Sequence, residues 1–277
     1  MTIYESMLAA YDPAGGGTAT PNAEQEVCQK ITLAGLRRGG FFDHAAFYGG
    51  TCLRLFHGLP RWSEDMDFSL TEKRDDSHLE NYFDAIKEEF KIAGFDVTIT
   101  KKEKKVFGRV ESAFLKENTE AYDIKFQTKK MVKLKIELDT DPPLMFDTEQ
   151  KLLLEPYSFM VRCFTLPDLF AGKLHALVYR TWQRRVKGRD WFDFEWYVRN
   201  RVPLDFKHLQ ARIKEFNGED VNEEDFLALL RERLSTTPVN LVKQDVLPFI
   251  DSAHQEELSI WSHAYFLQLV DYMQIQQ

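Results

Sequence analysis

The sequence predicts an α+β protein, with a mixed core over residues 21–158, a helical lobe over 159–277 and a flexible lead-in at 1–20. Three observations carry this. Between residues 49 and 140 the apolar spacing runs from helix to strand to helix and then to several strands, as when both element types share one core. After Thr165 the spacing becomes helical. The opening residues are polar and punctuated by Gly15-Gly16-Gly17 and Pro21.

From Glu24 to Arg38 the apolar positions Val27, Ile31, Leu33 and Leu36 follow helical spacing, and Gly39-Gly40 ends the run. His44 to Tyr48 leads into the Gly49-Gly50 turn. Thr51 to His57 makes two helical turns with Leu53 and Phe56 inward, closed by Gly58-Leu59-Pro60. Met66 to Leu70 alternates as a strand does. Ser77 to Phe90 carries the clearest helical pattern. Ser77 and Glu80 match a capping box, and Leu79, Tyr82, Phe83, Ile86 and Phe90 form one apolar stripe. Strands are expected at Phe95–Thr100, Val106–Phe114, Ile124–Gln127 and Val132–Leu138, before Asp141-Pro142-Pro143 closes the region. Helices are expected over 168–186, 190–200, 205–216, 222–234 and 251–274. No internal repeat is visible.

A chain of 277 residues can bury a substantial core. No apolar run approaches the roughly 18 residues that a membrane span needs. The N-terminus lacks the basic start and apolar stretch of a targeting segment. A cytoplasmic protein with no membrane partner is expected. Cys28, Cys52 and Cys163 are scattered without a C-x-x-C pair, which argues against a disulfide framework or a cysteine zinc site. H-E-x-x-H and G-x-S-x-G are both absent. The net charge of −8 is uneven: residues 202–277 carry −7 and residues 1–201 only −1. The front part also holds basic clusters at Lys101, Lys102, Lys104 and Lys105; at Lys125, Lys129, Lys130, Lys133 and Lys135; and at Arg180, Arg184, Arg185, Lys187 and Arg189. Local patches of this kind can dock phosphate whatever the total charge, or they can be solvated faces.

Chemistry concentrates in two short stretches. Asp65 and Asp67 are two apart in a strand-like run, so their carboxylates share a face. Mg²⁺ is commonly held by one or two protein carboxylates together with waters and substrate phosphate oxygens. Upstream, Gly49 and Gly50 permit unusual torsions and close backbone approach. A helix starting at Thr51 would offer free N–H groups to phosphate, with the Thr51 hydroxyl capping the helix or binding phosphate. The P-loop pattern is absent. Lys133 to Asp139 alternates with Leu134, Ile136 and Leu138 inward, so Glu137 or Asp139 could join the aspartate pair from a neighbouring strand. An ordinary solvated strand face with cross-strand pairs remains the other reading. On the helix from Asp168, Lys173 and Arg180 share a face away from Phe170, Leu174, Leu177 and Val178. Asp190 and Asp193 fall in the first turn of the next helix, where carboxylates are favourable in any case.

Taken together, Phe47-Tyr48-Gly49-Gly50-Thr51-x-Leu53-Arg54, Arg61-x-Ser63-Glu64-Asp65-x-Asp67-Phe68, Lys135-Ile136-Glu137-Leu138-Asp139-x-x-Pro142-Pro143, Lys173-Leu174-x-Ala176-Leu177 and Lys187-x-Arg189-Asp190-x-x-Asp193 resemble the AbiEii-type nucleotidyltransferase toxins of type IV toxin–antitoxin systems. The resemblance covers roughly residues 24–200. It implies a polymerase-β-like nucleotidyltransferase core with a helical C-terminal lobe. It also implies transfer of a nucleotide from an NTP, with Mg²⁺ or Mn²⁺ as cofactor. The implied acceptor is the 3′ end of tRNA, the implied effect a block of translation in an abortive-infection setting, and the implied partner a neutralising antitoxin. Carried over by motif, the catalytic residues are Asp65, Asp67, Lys173 and Asp190, with Glu137 completing the metal ligands. Gly49, Gly50, Thr51, Arg54, Ser63, Arg180 and Arg189 would bind the nucleotide, and Asp139 and Asp193 are further candidates. The turn reads Gly-Gly-Thr where the wider superfamily has Gly-Ser, so Thr51 would take the serine's role. Two alternatives stand beside this reading. One is a metal-dependent nuclease built on Asp65 or Asp67 with Glu137 and Lys135. The other is a non-catalytic protein of the same fold that binds a partner through its acidic helices.

Overall fold

A computed structural model of the chain describes residues 1–11, 20–74, 76–102, 119–126, 133–180 and 186–276. The expected strand at Val106–Phe114 lies outside them, as do Gly15-Gly16-Gly17, Lys104, Lys105, Lys129, Lys130, Arg184 and Arg185.

A seven-stranded mixed sheet organises the front of the molecule. In chain order its strands are β1 (Ala45–Tyr48), β2 (Asp65–Leu70), β3 (Val97–Lys101), β4 (Thr119–Phe126), β5 (Lys133–Asp139), β6 (Thr148–Leu153) and β7 (Phe159–Phe164). Across the sheet they run β3-β4-β5-β2-β1-β7-β6. Strand β2 is antiparallel to β1 and parallel to β5, while β1 is parallel to β7. The alternation in β2 buries Met66, Phe68 and Leu70 and turns Asp65 and Asp67 to the other face. Likewise β5 buries Leu134, Ile136 and Leu138. Helices α1 (Ile3–Ala9), α2 (Pro21–Arg38) and α4 (Phe83–Ala93) pack together beside the sheet, and α3 (Gly49–His57) lies between β1 and β2 in sequence. At the crossing of α2 and α4 a Cβ on Gly35 would stand 2.7 Å from Ile86 Cα, so only glycine permits that approach.

The helical lobe contains α5 (Leu166–Tyr179), α6 (Gly188–Arg199), α7 (Phe206–Asn217), α8 (Glu223–Thr236), α9 (Val239–Val246) and α10 (His263–Asp271). A short parallel pair, β8 (Pro203–Asp205) with β9 (Gln274–Gln276), ties down the end of the chain. The two parts share one apolar core cluster. The Arg61–Trp62 segment is stitched to the lobe. Trp62 N–H donates to the Phe249 carbonyl at 2.8 Å, and its indole Nε1–H donates to Asp251 at 2.8 Å.

Several sequence expectations need correction. Residues 1–20 include a true helix, because Thr2 and Glu5 form a reciprocal capping box and Met7 is buried. The sheet runs past residue 158, since β7 pairs with both β1 and β6, and the helical lobe begins at Thr165. Ser77 caps nothing. The chain there enters a 3₁₀ turn at Leu79–Tyr82, and α4 starts only at Phe83. The reason is tertiary: Leu79 N–H donates to Glu120 at 2.9 Å, while Glu80 accepts from the Tyr122 hydroxyl at 2.8 Å. Helix α5 stops at Tyr179 because Arg180 is extended. The stretch 251–274 is a 3₁₀ segment followed by α10, not one helix. Strands β6 and β7 and helix α9 were not expected from periodicity.

Candidate active site

The sheet register brings the acidic candidates together. In the parallel β2–β5 pair, Asp65 stands opposite Lys135, Asp67 opposite Glu137 and Ser69 opposite Asp139. Paired positions share a face, so Asp65, Asp67 and Glu137 meet on the face away from the buried strand residues. The register thus selects Glu137 rather than Asp139 as the neighbour of the pair. Asp139 sits one step further along and accepts from Asp141 N–H at 3.1 Å. Burial, then Glu137 and Asp65, push the Asp67 carboxyl up to about 7, against the pull of Lys135 and Lys173. Lys135 pairs with Glu137 at 2.7 Å.

Gly49 and Gly50 open α3 beside these carboxylates. Gly49 has φ +81°, and a Cβ there would overlap Asp67 Oδ2 and stand 3.1 Å from Cγ. Both the torsion and the contact require glycine. At Gly50 a Cβ would come within 2.9 Å of Ser63 Oγ and 2.8 Å of Arg61 Nη2. Among the described residues no side chain caps α3, so its first N–H groups are available to an anion. The segment before β2 is held by α2: Gln29 donates to the Ser63 carbonyl and Gln25 to the Glu64 carbonyl, each at 2.9 Å.

The helical lobe supplies the cations. Gly50, Ser63, Asp65, Asp67, Glu137, Lys173, Arg180, Arg189 and Asp190 line one cleft of about 300 Å³, with Arg61, Lys135 and Lys187. Lys173 bonds Asp190 at 3.2 Å and Asp193 at 2.8 Å, and Arg180 bonds Asp190 at 2.9 Å. Arg61 grips Asp193 with two bonds, of 2.5 and 2.6 Å. Burial pushes the Asp190 carboxyl up, but Arg180 and Lys173 outweigh it and hold it below the usual carboxylate range. Arg61 and Lys173 do the same for Asp193. Arg189 crosses to Glu64 at 3.0 Å and lies 4.2 Å from the Phe249 ring centroid.

Three sequence candidates stand elsewhere. The buried Thr51 hydroxyl donates to the Asp65 carbonyl, so it fastens α3 to β2 and is committed away from a phosphate; Ser63 is the hydroxyl residue lining the cleft. Arg54 pairs with Glu26 at 2.8 Å and lies over the Trp62 ring at 4.2 Å, outside the cleft lining. Asp193 is fully buried and anchors Arg61 and Lys173 without facing the cleft. Among the clusters read as basic patches, Lys101 pairs with Glu80 and Lys133 with Asp123. Sequence reasoning did not assign Arg61 its part. A buried pair spanning 132 positions leaves no local signal.

Among the described residues no three His, Cys, Asp or Glu side chains are grouped so as to hold a metal ion by themselves, and no helix is long and apolar enough to cross a membrane. A search of curated proteins returns no match. Two solved structures share the fold. MenT4, a nucleotidyltransferase toxin from Mycobacterium tuberculosis, is 15% identical with a TM-score of 0.52, covering 99% of each chain. JHP933 from Helicobacter pylori is 17% identical with a TM-score of 0.52, covering 92% of this chain and 90% of that one. The family model described as nucleotidyl transferase AbiEii toxin, type IV TA system, matches residues 31–267 and so reaches through the acidic C-terminal helices. The chain therefore belongs to the AbiEii nucleotidyltransferase toxin family of type IV toxin–antitoxin systems.

Proposed function

We propose that this protein transfers a nucleotide from an NTP to the 3′ end of a tRNA, blocking translation, and that a cognate antitoxin neutralises it in the cytoplasm. The observation that carries the reading is one cleft joining the Asp65–Asp67 pair, the uncapped start of α3 and the cations Lys173 and Arg180. The acceptor hydroxyl attacks the α-phosphorus, the bond to the β-phosphate breaks, and pyrophosphate leaves. The hydroxyl proton passes to a carboxylate of the Asp65–Asp67 pair. Gly49 and Gly50 hold the triphosphate through backbone N–H groups. Lys173, Arg180 and Arg189 offset charge on the transferred phosphate and the leaving group. Arg180 and Arg189 release Asp190 and Glu64 to do so.

The donor set fits Mg²⁺ or Mn²⁺. Asp65 and Asp67 are hard oxygen donors on one strand face, and Glu137 stands opposite Asp67 while tied to Lys135. Such an ion, held by Asp65 and Asp67 with Glu137 beside them, would supply Lewis-acid stabilisation of triphosphate oxygens. Two carboxylates suffice when substrate oxygens and water fill the remaining positions.

The test is label transfer from each labelled NTP to total RNA with added Mg²⁺. Label should appear on tRNA, and Asp65→Ala should abolish it while leaving the melting curve near wild type. RNA cleavage without added triphosphate would replace this reading with a nuclease. Folded protein that binds neither Mg²⁺ nor NTP would replace it with a partner-binding role.

A further inference from the structure

Beside the triphosphate cleft lies a second cavity of about 220 Å³ that shares Gly50, Asp67, Glu137, Lys173 and Arg180 with it. The two spaces are continuous, but their walls differ. Tyr48 and Phe164, stacked on each other at 5.2 Å, line the second from the sheet side, and Phe216 lines it from α7. Four residues before Phe216 on the same helix, Arg212 lies with its guanidinium 5.0 Å from the Phe216 ring centroid. Its Nε is shut off from solvent and has no hydrogen-bond partner among the described residues. Asp139 offsets part of the cost of burying the charge, but an Nε–H left without an acceptor is costly, and the cavity beside it can admit an acceptor from outside the chain. The opposite wall is open at Gly172 of α5. A Cβ there would stand 3.9 Å from Arg212 Nε, at the edge of the guanidinium.

The neighbouring cleft already accounts for a triphosphate, so the space next to it falls to the nucleoside. Aromatic walls suit a planar ring, and a guanidinium donates and never accepts. It matches a base edge that presents a ring carbonyl, such as O6 and N7 of guanine or the carbonyls of uracil and cytosine. Adenine places an amino donor beside N7 instead and meets Arg212 donor to donor. Resting on the nucleotidyltransferase reading, we propose that this cavity holds the base of the incoming NTP. Arg212 is then the specificity-determining residue, selecting bases with a ring carbonyl over adenine.

Titration calorimetry on the full chain with Mg²⁺, using GTP, CTP, UTP, ATP and inorganic tripolyphosphate, tests this. One or more of GTP, CTP and UTP should bind at least about tenfold more tightly than ATP. In Arg212→Met that preference should shrink to about twofold, with tripolyphosphate affinity unchanged. Gly172→Ala gives a second route that does not depend on truncating a buried side chain. Alanine is favoured over glycine inside a helix, so its melting temperature should rise. The added methyl covers the guanidinium edge, so the preferred NTP should weaken while tripolyphosphate does not. ATP binding as tightly as every other NTP to wild type overturns the proposal. So does equal weakening of all five ligands by either variant. Failure of both NTPs and tripolyphosphate to bind the folded wild type overturns the nucleotidyltransferase reading itself, and this inference with it.

Discussion

Asp193→Asn is the sharpest test of how the cleft is held together. The substitution keeps the shape of the side chain and removes its charge. In the native protein both Arg61 and Asp193 are buried, and two bonds of 2.5 and 2.6 Å join them. Lys173 adds a third bond at 2.8 Å. Removing one partner leaves a guanidinium in the interior without its counter-charge, which costs about 3–5 kcal/mol. Asp190 also acts on Arg61 and compensates in part, so about 3–4 kcal/mol is expected. With an unfolding entropy of about 0.6 kcal/mol/K for a chain this long, the melting temperature should fall by roughly 5–7 °C. Arg61→Met combined with Asp193→Leu removes both charges and should recover most of that loss. Scanning calorimetry of the wild type, Asp193→Asn, the single variants Arg61→Met and Asp193→Leu, and the double variant measures the coupling. A melting temperature for Asp193→Asn within about 2 °C of wild type would refute the reasoning. So would a double variant no more stable than the worse single one, since the pair would then not act as a unit.

Four further outcomes follow from the same geometry. Gly49→Ala should abolish nucleotide transfer and lower stability by about 1–3 kcal/mol, because φ +81° and the Asp67 carboxylate both oppose a Cβ; transfer assays with urea melts read both effects. Thr51→Val should cost about 1 kcal/mol through loss of the bond to the Asp65 carbonyl, while Thr51→Ser keeps both stability and the KM for NTP; a raised KM in the serine variant would contradict the assignment. Arg54→Ala should lower the melting temperature by freeing Glu26 and Trp62 yet leave the KM for NTP unchanged in steady-state kinetics. Burial, then the nearby Arg212 cation, lowers His175 and His208 to about 3, so the unfolded chain binds more protons below pH 6.5. Stability is complete above about pH 6.5 and falls as pH drops toward 3, by about 1.4 kcal/mol per unit for each histidine. Urea melts at pH 7 and pH 5 should show the loss, and His175→Gln should flatten it.

Much of the front half is legible because its signals are local. The alternation of Asp65-Met66-Asp67-Phe68 and of Leu134 to Leu138 dictates which side chains face the cleft, since a strand gives neighbours opposite faces. The helical spacing around Val27 and Leu174 likewise marks α2 and α5. Strand β6 was missed because Thr148–Leu153 carries mixed polar and apolar residues and lies at the sheet edge, where pairing rather than pattern defines it. The capping box at Ser77 was misleading because distant strand residues engage its members: Leu79 N–H donates to Glu120, and the Glu80 carboxylate accepts from the Tyr122 hydroxyl.

By itself the sequence determined that a glycine turn, an alternating aspartate pair and a cationic helix occur in order, and hence the fold class and the family. Only the tertiary structure decided how they are used. The β2–β5 register chose Glu137 over Asp139 as the neighbour of Asp67. Packing of the helical lobe against the sheet turned Asp193 into the buried anchor of Arg61 and Lys173, and packing of α3 against α2 and β2 committed Arg54 and Thr51 to Glu26 and the Asp65 carbonyl. The physical reason is range. Backbone periodicity is written within a few residues, whereas ion pairing and burial are settled by whichever groups the fold brings within bonding distance.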